Sequence, residues 1–279
     1  MTRCLVTGHK GYIGNHLYNS LAAHGYDVYG IDLKQGDDIL YSLPDEQFDC
    51  VFHLAAIPSV PYSVLHPSYT LRQNVLVTSK LLEWCSRHDV KRLVFSSSAA
   101  AVDIKSPYGL HKRMGEMECK LYSELYGLDT VCLRYFNVYS EDQQHGGAYS
   151  SVISAWMHAL REKQPLQLHG DGQQRRDFIH VSDILDANIF CMQRSWDEPF
   201  GGEVFEVGTG VTIDLNFIKR YIDKSHTGIS WIYSNARKGD IRDSKANFKD
   251  FKESTGWEPQ ISIIQGLQRC FAKGGPTNG

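Results

Sequence analysis

Thr7-Gly8-His9-Lys10-Gly11-Tyr12-Ile13-Gly14 lies between the apolar run Cys4-Leu5-Val6 and a helix-like stretch from Ile13 to Ala23, and this arrangement decides the fold. A strand, a glycine-rich turn and a helix in that order form the context a dinucleotide fingerprint requires. A side chain at Gly8 would obstruct the tight turn, one at Gly11 would hold the backbone away from a pyrophosphate, and one at Gly14 would push the helix off its strand. The anion would rest on the positive end of that helix. Eighteen residues after Gly14 the next apolar run, Val28-Tyr29-Gly30-Ile31, ends in Asp32. A carboxylate there accepts hydrogen bonds from both hydroxyls of an adenosine ribose, and a 2′-phosphate would meet a like charge, which favours NAD over NADP. Without that chemistry the glycines make only a turn and Asp32 only a solvated strand end.

Outward from this turn, short β-branched runs alternate with helical periodicity: Val51 to Leu54, Leu93 to Phe95 and Thr130 to Leu133, with candidate helices between most of them. Such alternation predicts an α/β fold, a doubly wound parallel sheet covered on both faces. Eighteen mostly polar or turn-forming residues lie between Asp32 and Val51, so the crossover helix there must be abbreviated. After about residue 140 the alternation loosens and Gly and Pro increase, which predicts a smaller substrate-facing region with no linker-like seam.

The 279 residues suffice for a full core, in one large domain or two intimate ones. A net charge of −3 with scattered Lys and Arg gives no nucleic-acid footprint. Apolar stretches are strand-sized, far short of the roughly 20 residues that cross a bilayer. No charged-then-apolar leader precedes Cys4, so a cytoplasmic protein is expected. Seven widely spaced cysteines read as reduced core residues, and the 12 histidines show no metal-ligand spacing, so no metal is expected. His53 and His180 lie near motifs but read as packed or hydrogen-bonded rather than catalytic.

Ser106 is a candidate N-cap and Pro107 a first helical residue. Leu110, Met114, Met117, Leu121 and Leu125 recur at spacings of three and four, predicting an amphipathic helix that stops at Gly127 and buries these five in the core. On it, Tyr108 and Lys112 stand one turn apart on one face. A free phenol ionises near about 10, and poising it near 7 takes roughly 4 kcal/mol of preference for the phenolate. A unit positive charge about 4 Å away supplies roughly that much at an effective dielectric of about 20. Equally, the pair is an ordinary surface Tyr and Lys on a long helix. Upstream, Leu93-Val94-Phe95 runs into Ser96-Ser97-Ser98, and a hydroxyl at the carboxyl end of a parallel strand lies where such sheets bind ligands.

With these motifs together, the chain resembles the extended short-chain dehydrogenase/reductase family, in particular its nucleotide-sugar epimerases and dehydratases. Further matching landmarks are Asp38-Ile39, His53-Leu54-Ala55-Ala56, Asn74, Arg134-Tyr135-Phe136-Asn137, Gly170-Asp171-Gly172 and Arg176-Asp177-Phe178. Val207-Gly208-Thr209-Gly210, Arg237 with Gly239-Asp240, and Gly256-Trp257 complete the set. The resemblance implies a Rossmann domain over residues 1–140 plus about 186–210 that holds NAD. The remainder of 141–279 would form an interleaved α/β region for an NDP-sugar, most naturally UDP-linked.

It further implies cofactor contacts at Gly8, Gly11, Tyr12, Ile13, Gly14, Asp32, Asp38, Ile39, Leu54, Ala55, Ala56, Asn74, Tyr108 and Lys112. Tyr108 would be the base, Ser98 would bond the reacting oxygen, and Lys112 would grip the nicotinamide ribose. Asn137, Arg176 and Arg237 would neutralise the diphosphate, as Arg forks match phosphate oxygens, and Asp240 would contact a ribose hydroxyl. A homodimer through helices near residues 75–88 and 107–126 is implied as well.

Family members that dehydrate or decarboxylate place an acid just after the catalytic hydroxyl. Ser98 is instead followed by Ala99-Ala100-Ala101, which leaves one acid/base and one hydride carrier, the needs of C4 epimerisation. Ser59-Val60-Pro61-Tyr62-Ser63 resembles the substrate loop of UDP-N-acetylglucosamine 4-epimerases, and Ser244 matches a position where a small residue leaves room for an acetamido group. Plain UDP-glucose and UDP-galactose stay open as substrates. A net reductase, dehydrogenase or dehydratase, and a silent dinucleotide-binding member, are the alternatives. Tyr108 follows Ser98 by ten residues, which cuts back the loop that lies over the sugar in the family, and Ser97 is a substitute for Ser98 as the hydroxyl.

Overall fold

The computed structural model describes residues 1–146, 151–236 and 242–272. The chain begins β1 (Arg3–Thr7), α1 (Tyr12–Ala23), β2 (Asp27–Ile31), β3 (Cys50–His53), α2 (Val60–Leu65), α3 (Pro67–Leu71), α4 (Val77–Arg87), β4 (Arg92–Ser98), α5 (Pro107–Tyr126), β5 (Asp129–Tyr135). It continues with β6 (Asn137–Tyr139), α6 (Val152–Arg161), β7 (Leu166–His169), β8 (Arg175–His180), α7 (Val181–Gln193) and β9 (Glu203–Val207). β10 (Thr212–Asp214), α8 (Leu215–Ser225), β11 (Trp231–Ser234), β12 (Asp243–Ser244), α9 (Lys249–Thr255) and α10 (Ile263–Cys270) complete it.

Six strands form one sheet in the order β2-β1-β3-β4-β5-β9, every pairing parallel. This is the doubly wound α/β fold. The order reverses beside β1: Thr7 at its end pairs with Ile31 on one side and His53 on the other, and parallel sheets bind ligands at such a switch point. Only a single 3-10 turn, Leu33–Gln35, stands between β2 and β3, and β2 is an outer strand of the sheet.

The chain divides into two compact units. The first comprises Met1–Tyr135, Leu185–Val207 and Lys249–Trp257, the second Phe136–Ile184, Gly208–Phe248 and Glu258–Gly279. Segment 249–257 lies in the first unit and not with the rest of 141–279: Phe251 packs on Phe205 of β9, with ring centroids 5.1 Å apart. The first unit's core gathers apolar residues such as Leu5, Val51, Leu81, Leu93 and Phe95. In the second, β8 pairs with β6, β10 and β12, β7 pairs with β11, and Trp156, Phe178, Ile218 and Leu267 share a separate core. All seven cysteines are buried and free.

α5 begins and ends as its sequence predicts: Ser106 caps it, accepting the N–H of Gly109, Pro107 is its first residue, and Gly127 ends it in the left-handed conformation. Its orientation corrects the reading. Leu110, Met117, Leu121 and Leu125 are 43–63 % exposed, and the buried stripe runs through Tyr108, His111, Lys112, Gly115, Glu116 and Cys119. The cause is steric. A Cβ at Gly115 would lie 2.5 Å from the Phe95 ring, so the small-residue face lies against the sheet and the large apolar face is outside.

Candidate active site

The glycine turn is built by contacts that leave no room for side chains. Gly8 takes φ +73°, and a Cβ on it would lie 2.8 Å from the backbone nitrogen of Ala55, a conformation and an approach open only to glycine. A Cβ at Gly14 would run into the carbonyl oxygen of Gly8. Gly11 precedes α1 and supplies no side-chain cap, and the start of a helix attracts an anion. Tyr12 and Ile13 open the helix, half-buried. This cradle fits the pyrophosphate of a dinucleotide.

Thr7 ties β1 to the segment after β3. Its hydroxyl meets His53 Nδ1 at 2.8 Å and accepts the N–H of Ala55 at 3.1 Å, fixing Leu54, Ala55 and Ala56 beside the turn. His53 Nε2 meets the Thr78 hydroxyl at 2.9 Å. Burial, with the nearby Lys112 charge, pushes the imidazole down to about 3, so His53 is a neutral structural link, as expected. Asn74 lies in a widened turn, Arg72–Leu76, between α3 and α4. It is buried and clamps Ile57 through both groups, accepting its N–H at 2.7 Å and donating to its carbonyl at 3.1 Å.

Asp32 follows β2 with little exposure and accepts the N–H of Lys10 at 2.9 Å and that of Lys34 at 2.8 Å, one on each oxygen. It is a bonded anchor for the turn, not a solvated strand end. Asp38 accepts the N–H of Leu40 at 3.0 Å, and Ile39 is buried.

The serine run separates by strand alternation. Ser96 meets the Tyr135 hydroxyl at 3.0 Å, Ser97 donates to Glu116 Oε1 at 2.6 Å, and Ser98 accepts the N–H of Ala100 at 3.2 Å. Glu116 is buried and takes Arg134 in a fork at 2.7 and 2.8 Å. Lys112 is 4 % exposed and donates to the carbonyl of Ser96 at 2.7 Å, with Phe95 beneath its ammonium at 4.9 Å. Burial pulls it down to about 8, against the nearby Glu116 carboxylate. Tyr108 is 8 % exposed, and its backbone N–H donates to the Ser63 hydroxyl at 3.1 Å. Ser59 caps α2 by accepting the N–H of Tyr62, and Val60 is exposed.

In the second unit, Asn137 donates to the carbonyl of Asp177 at 2.7 Å, and Ser244 pairs in register with Arg176. Arg237 and Asp240 lie outside the described residues. The role of Asp177 was not evident from sequence. Fully buried, it accepts the N–H and hydroxyl of Thr209 and the N–H groups of Gly210 and Ala246 at 2.6 to 3.1 Å. Ser63, Glu116 and Asp177 were missed as site supports because their roles depend on partners far along the chain. Position between an arginine and an apolar strand was the one signal Asp177 offered. His180 meets Glu141 at 2.9 Å and Ser182 at 3.1 Å. Among the described residues no group of three or more His, Cys, Asp or Glu has metal-site geometry, and none of their helices is long and apolar enough to cross a membrane.

Comparison with known proteins bears on these features. The model of the NAD dependent epimerase/dehydratase family matches residues 4–208. A Methanocaldococcus jannaschii protein, provisionally named a UDP-glucose 4-epimerase, is 34 % identical over 95 % of this chain and 96 % of its own. The UDP-N-acetylglucosamine 4-epimerase of Methanobrevibacter ruminantium M1, solved with UDP-N-acetylmuramic acid, superposes with a TM-score of 0.87 at 28 % identity, covering 97 % of this chain and 96 % of that one. The UDP-glucuronic acid 4-epimerase of Bacillus cereus, solved with UDP-glucuronic acid and NAD, gives 0.85 at 26 % identity, covering 96 % and 97 %.

Proposed function

Since the chain belongs to the NAD dependent epimerase/dehydratase family, we propose that it interconverts C4 epimers of a UDP-sugar through a 4-keto intermediate, with UDP-N-acetylglucosamine and UDP-N-acetylgalactosamine the favoured pair. One observation carries the reading: α5 buries Tyr108 and Lys112 on the face toward β4, whose end bears Ser98 followed by Ala99–Ala101. A single proton-transfer group and no second acid suit epimerisation and not elimination.

Bound NAD supplies the hydride acceptor and donor. Tyr108 takes the proton of the 4-hydroxyl, and Ser98 donates to the same oxygen. The Lys112 ammonium favours the phenolate. After the sugar turns its other face, Tyr108 returns the proton. Gly8, Gly11 and Gly14 with the start of α1 would hold the pyrophosphate, and Asp32 the adenosine ribose. Asn137, Arg176 and Arg237 would meet the sugar-nucleotide diphosphate, and Asp240 a ribose hydroxyl. Ser59, Val60 and Ser244 would border the sugar, and the small Ser244 supports an N-acetyl substituent.

The exposed stripe of Leu110, Met117, Leu121 and Leu125 supports a homodimer built on α4 and α5, since so continuous an apolar face is costly in water. Leu121→Glu would yield monomers in sedimentation. A cytoplasmic location accords with the seven reduced cysteines.

The function is tested by incubating the protein and NAD with UDP-N-acetylglucosamine, UDP-glucose or UDP-glucuronate and following the sugar by NMR. The 4-epimer accumulates with no net NADH. Stoichiometric NADH would indicate a dehydrogenase instead, and loss of a carboxyl carbon a decarboxylase.

A further inference from the structure

We infer that Ser63 is a positioning residue for Tyr108: its one buried hydroxyl joins the segment that borders the sugar to the first turn of α5, so that base and sugar loop keep one fixed spacing. This rests on the roles proposed above for Ser59, Val60 and Tyr108 and adds the link between them.

The first turn of a helix carries N–H groups with no partner in its own ladder. In α5 these are satisfied locally with one exception. Pro107 has no N–H, Gly109 donates to the Ser106 hydroxyl and Leu110 to the Ser106 carbonyl. The N–H of Tyr108 instead donates to the hydroxyl of Ser63, 45 residues earlier in the chain, at 3.1 Å. That hydroxyl in turn donates to the carbonyl of Val60 at 2.7 Å. One oxygen therefore accepts from the backbone of the base and donates to the backbone of a residue placed against the sugar.

The burial of α2 gives this bond its weight. Ser63 is the single buried residue of the helix, and Val60, Pro61, Tyr62, Val64 and Leu65 are all exposed. A short helix kept for stability alone would bury its valines and leucine. This one seats a serine instead, and a hydrogen bond fixes distance and direction as an apolar contact does not. Ser59 caps α2 by accepting the N–H of Tyr62 at 3.3 Å, and its carbonyl accepts the N–H of Ser63 at 2.9 Å. Ser59, Val60 and Ser63 thus form one bonded unit. The catalytic turn has a second support: a Cβ at Gly109 would run into the carbonyl oxygen of Ala100, two residues past Ser98. Backbone packing makes that second contact, whereas the link to the sugar loop depends on one side-chain atom.

Steady-state kinetics of the full-length protein with NAD and whichever of UDP-N-acetylglucosamine, UDP-glucose and UDP-glucuronate it epimerises tests the inference. Ser63→Ala is expected to lower kcat by about 10- to 100-fold, the scale of a small misplacement of a reacting group, while KM for the UDP-sugar stays within about threefold. Thr70→Val is the control. Thr70 is as deeply buried, in the neighbouring α3, and its hydroxyl meets the carbonyls of His66 and Pro67, so its loss lowers the melting temperature and leaves kcat in place. Ser63→Cys, with a thiol that is only a weak donor and acceptor, has a kcat between those of wild type and Ser63→Ala, and it is the deciding variant if Ser63→Ala does not fold. A kcat within about threefold of wild type in the deciding variant, or an equal fall in Thr70→Val, overturns the inference. An active wild type with kcat unmoved by the Ser63 change sinks this inference alone, whereas a wild type that epimerises none of the three UDP-sugars sinks the functional reading with it.

Discussion

The hydroxyl of Ser97 donates to Glu116 at 2.6 Å, whereas Ser98, one residue on, emerges from the opposite face of β4 and accepts the N–H of Ala100. The first hydroxyl is spent on a buried carboxylate already forked by Arg134. Ser98→Ala is therefore expected to lower kcat by about 10²- to 10³-fold, the usual loss for one transition-state donor, at unchanged melting temperature. Ser97→Ala leaves Glu116 short of a donor and costs about 1–3 kcal/mol of stability with kcat largely kept. Steady-state kinetics and thermal melts separate the two, and the reverse pattern would assign the chemistry to Ser97.

Burial draws Lys112 down to about 8, so activity and stability move oppositely in alkali. Above about pH 8 the ammonium loses its proton and its pull on the Tyr108 phenol, and kcat/KM falls. In the unfolded chain the lysine keeps its proton to about 10.4. The unfolded state thus binds more protons between those values, and folding gains stability there as pH rises. Wild type gains on Lys112→Met across that window in urea unfolding. A kcat/KM profile flat to about pH 10 would contradict this role.

His53 titrates near 3 when folded against an ordinary 6.5. The unfolded state binds the extra proton in between, so this group's share of stability is whole above about 6.5 and is lost as pH falls toward 3. The slope approaches about 1.4 kcal/mol per pH unit. His53→Gln, which keeps a hydrogen-bonding side chain between Thr7 and Thr78, flattens the acid limb. An unchanged limb would mean the imidazole is charged in the fold.

Local rules made much of this architecture legible. The turn from Thr7 to Gly14 announced strand, cradle and helix because each glycine answers a nearby steric demand, and Ser106-Pro107 with Gly127 bounded α5 because caps are local chemistry. The direction in which α5 faces was not legible. Its leucines and methionines have perfect helical spacing, yet periodicity marks a stripe without saying what covers it, and Gly115 under Phe95 turned the helix the other way. Glu116 and Asp177 were hidden for a related reason: a buried carboxylate is identified by its donors, and those of Asp177 come from residues 209, 210 and 246.

Arg92 is fully buried and bonds Asp129 at 2.5 Å and the carbonyls of Cys191, Arg194 and Ser195 at 2.6 to 3.1 Å. It closes the end of α7 and the approach to β9. Arg92→Met strands the Asp129 charge and should cost about 3–5 kcal/mol, a loss that Asp129→Asn in the same chain partly restores. Equal stability of the single and double variants in urea would show that the pair is not coupled.

The central claim is that hydride leaves C4 and returns to it while Tyr108 handles only the hydroxyl proton. Epimerisation run in D₂O and followed by NMR tests this most directly. The account predicts a 4-epimer with no solvent deuterium on any sugar carbon, and no product from Tyr108→Phe. Deuterium at C4 or C5, or full activity in Tyr108→Phe, would contradict it.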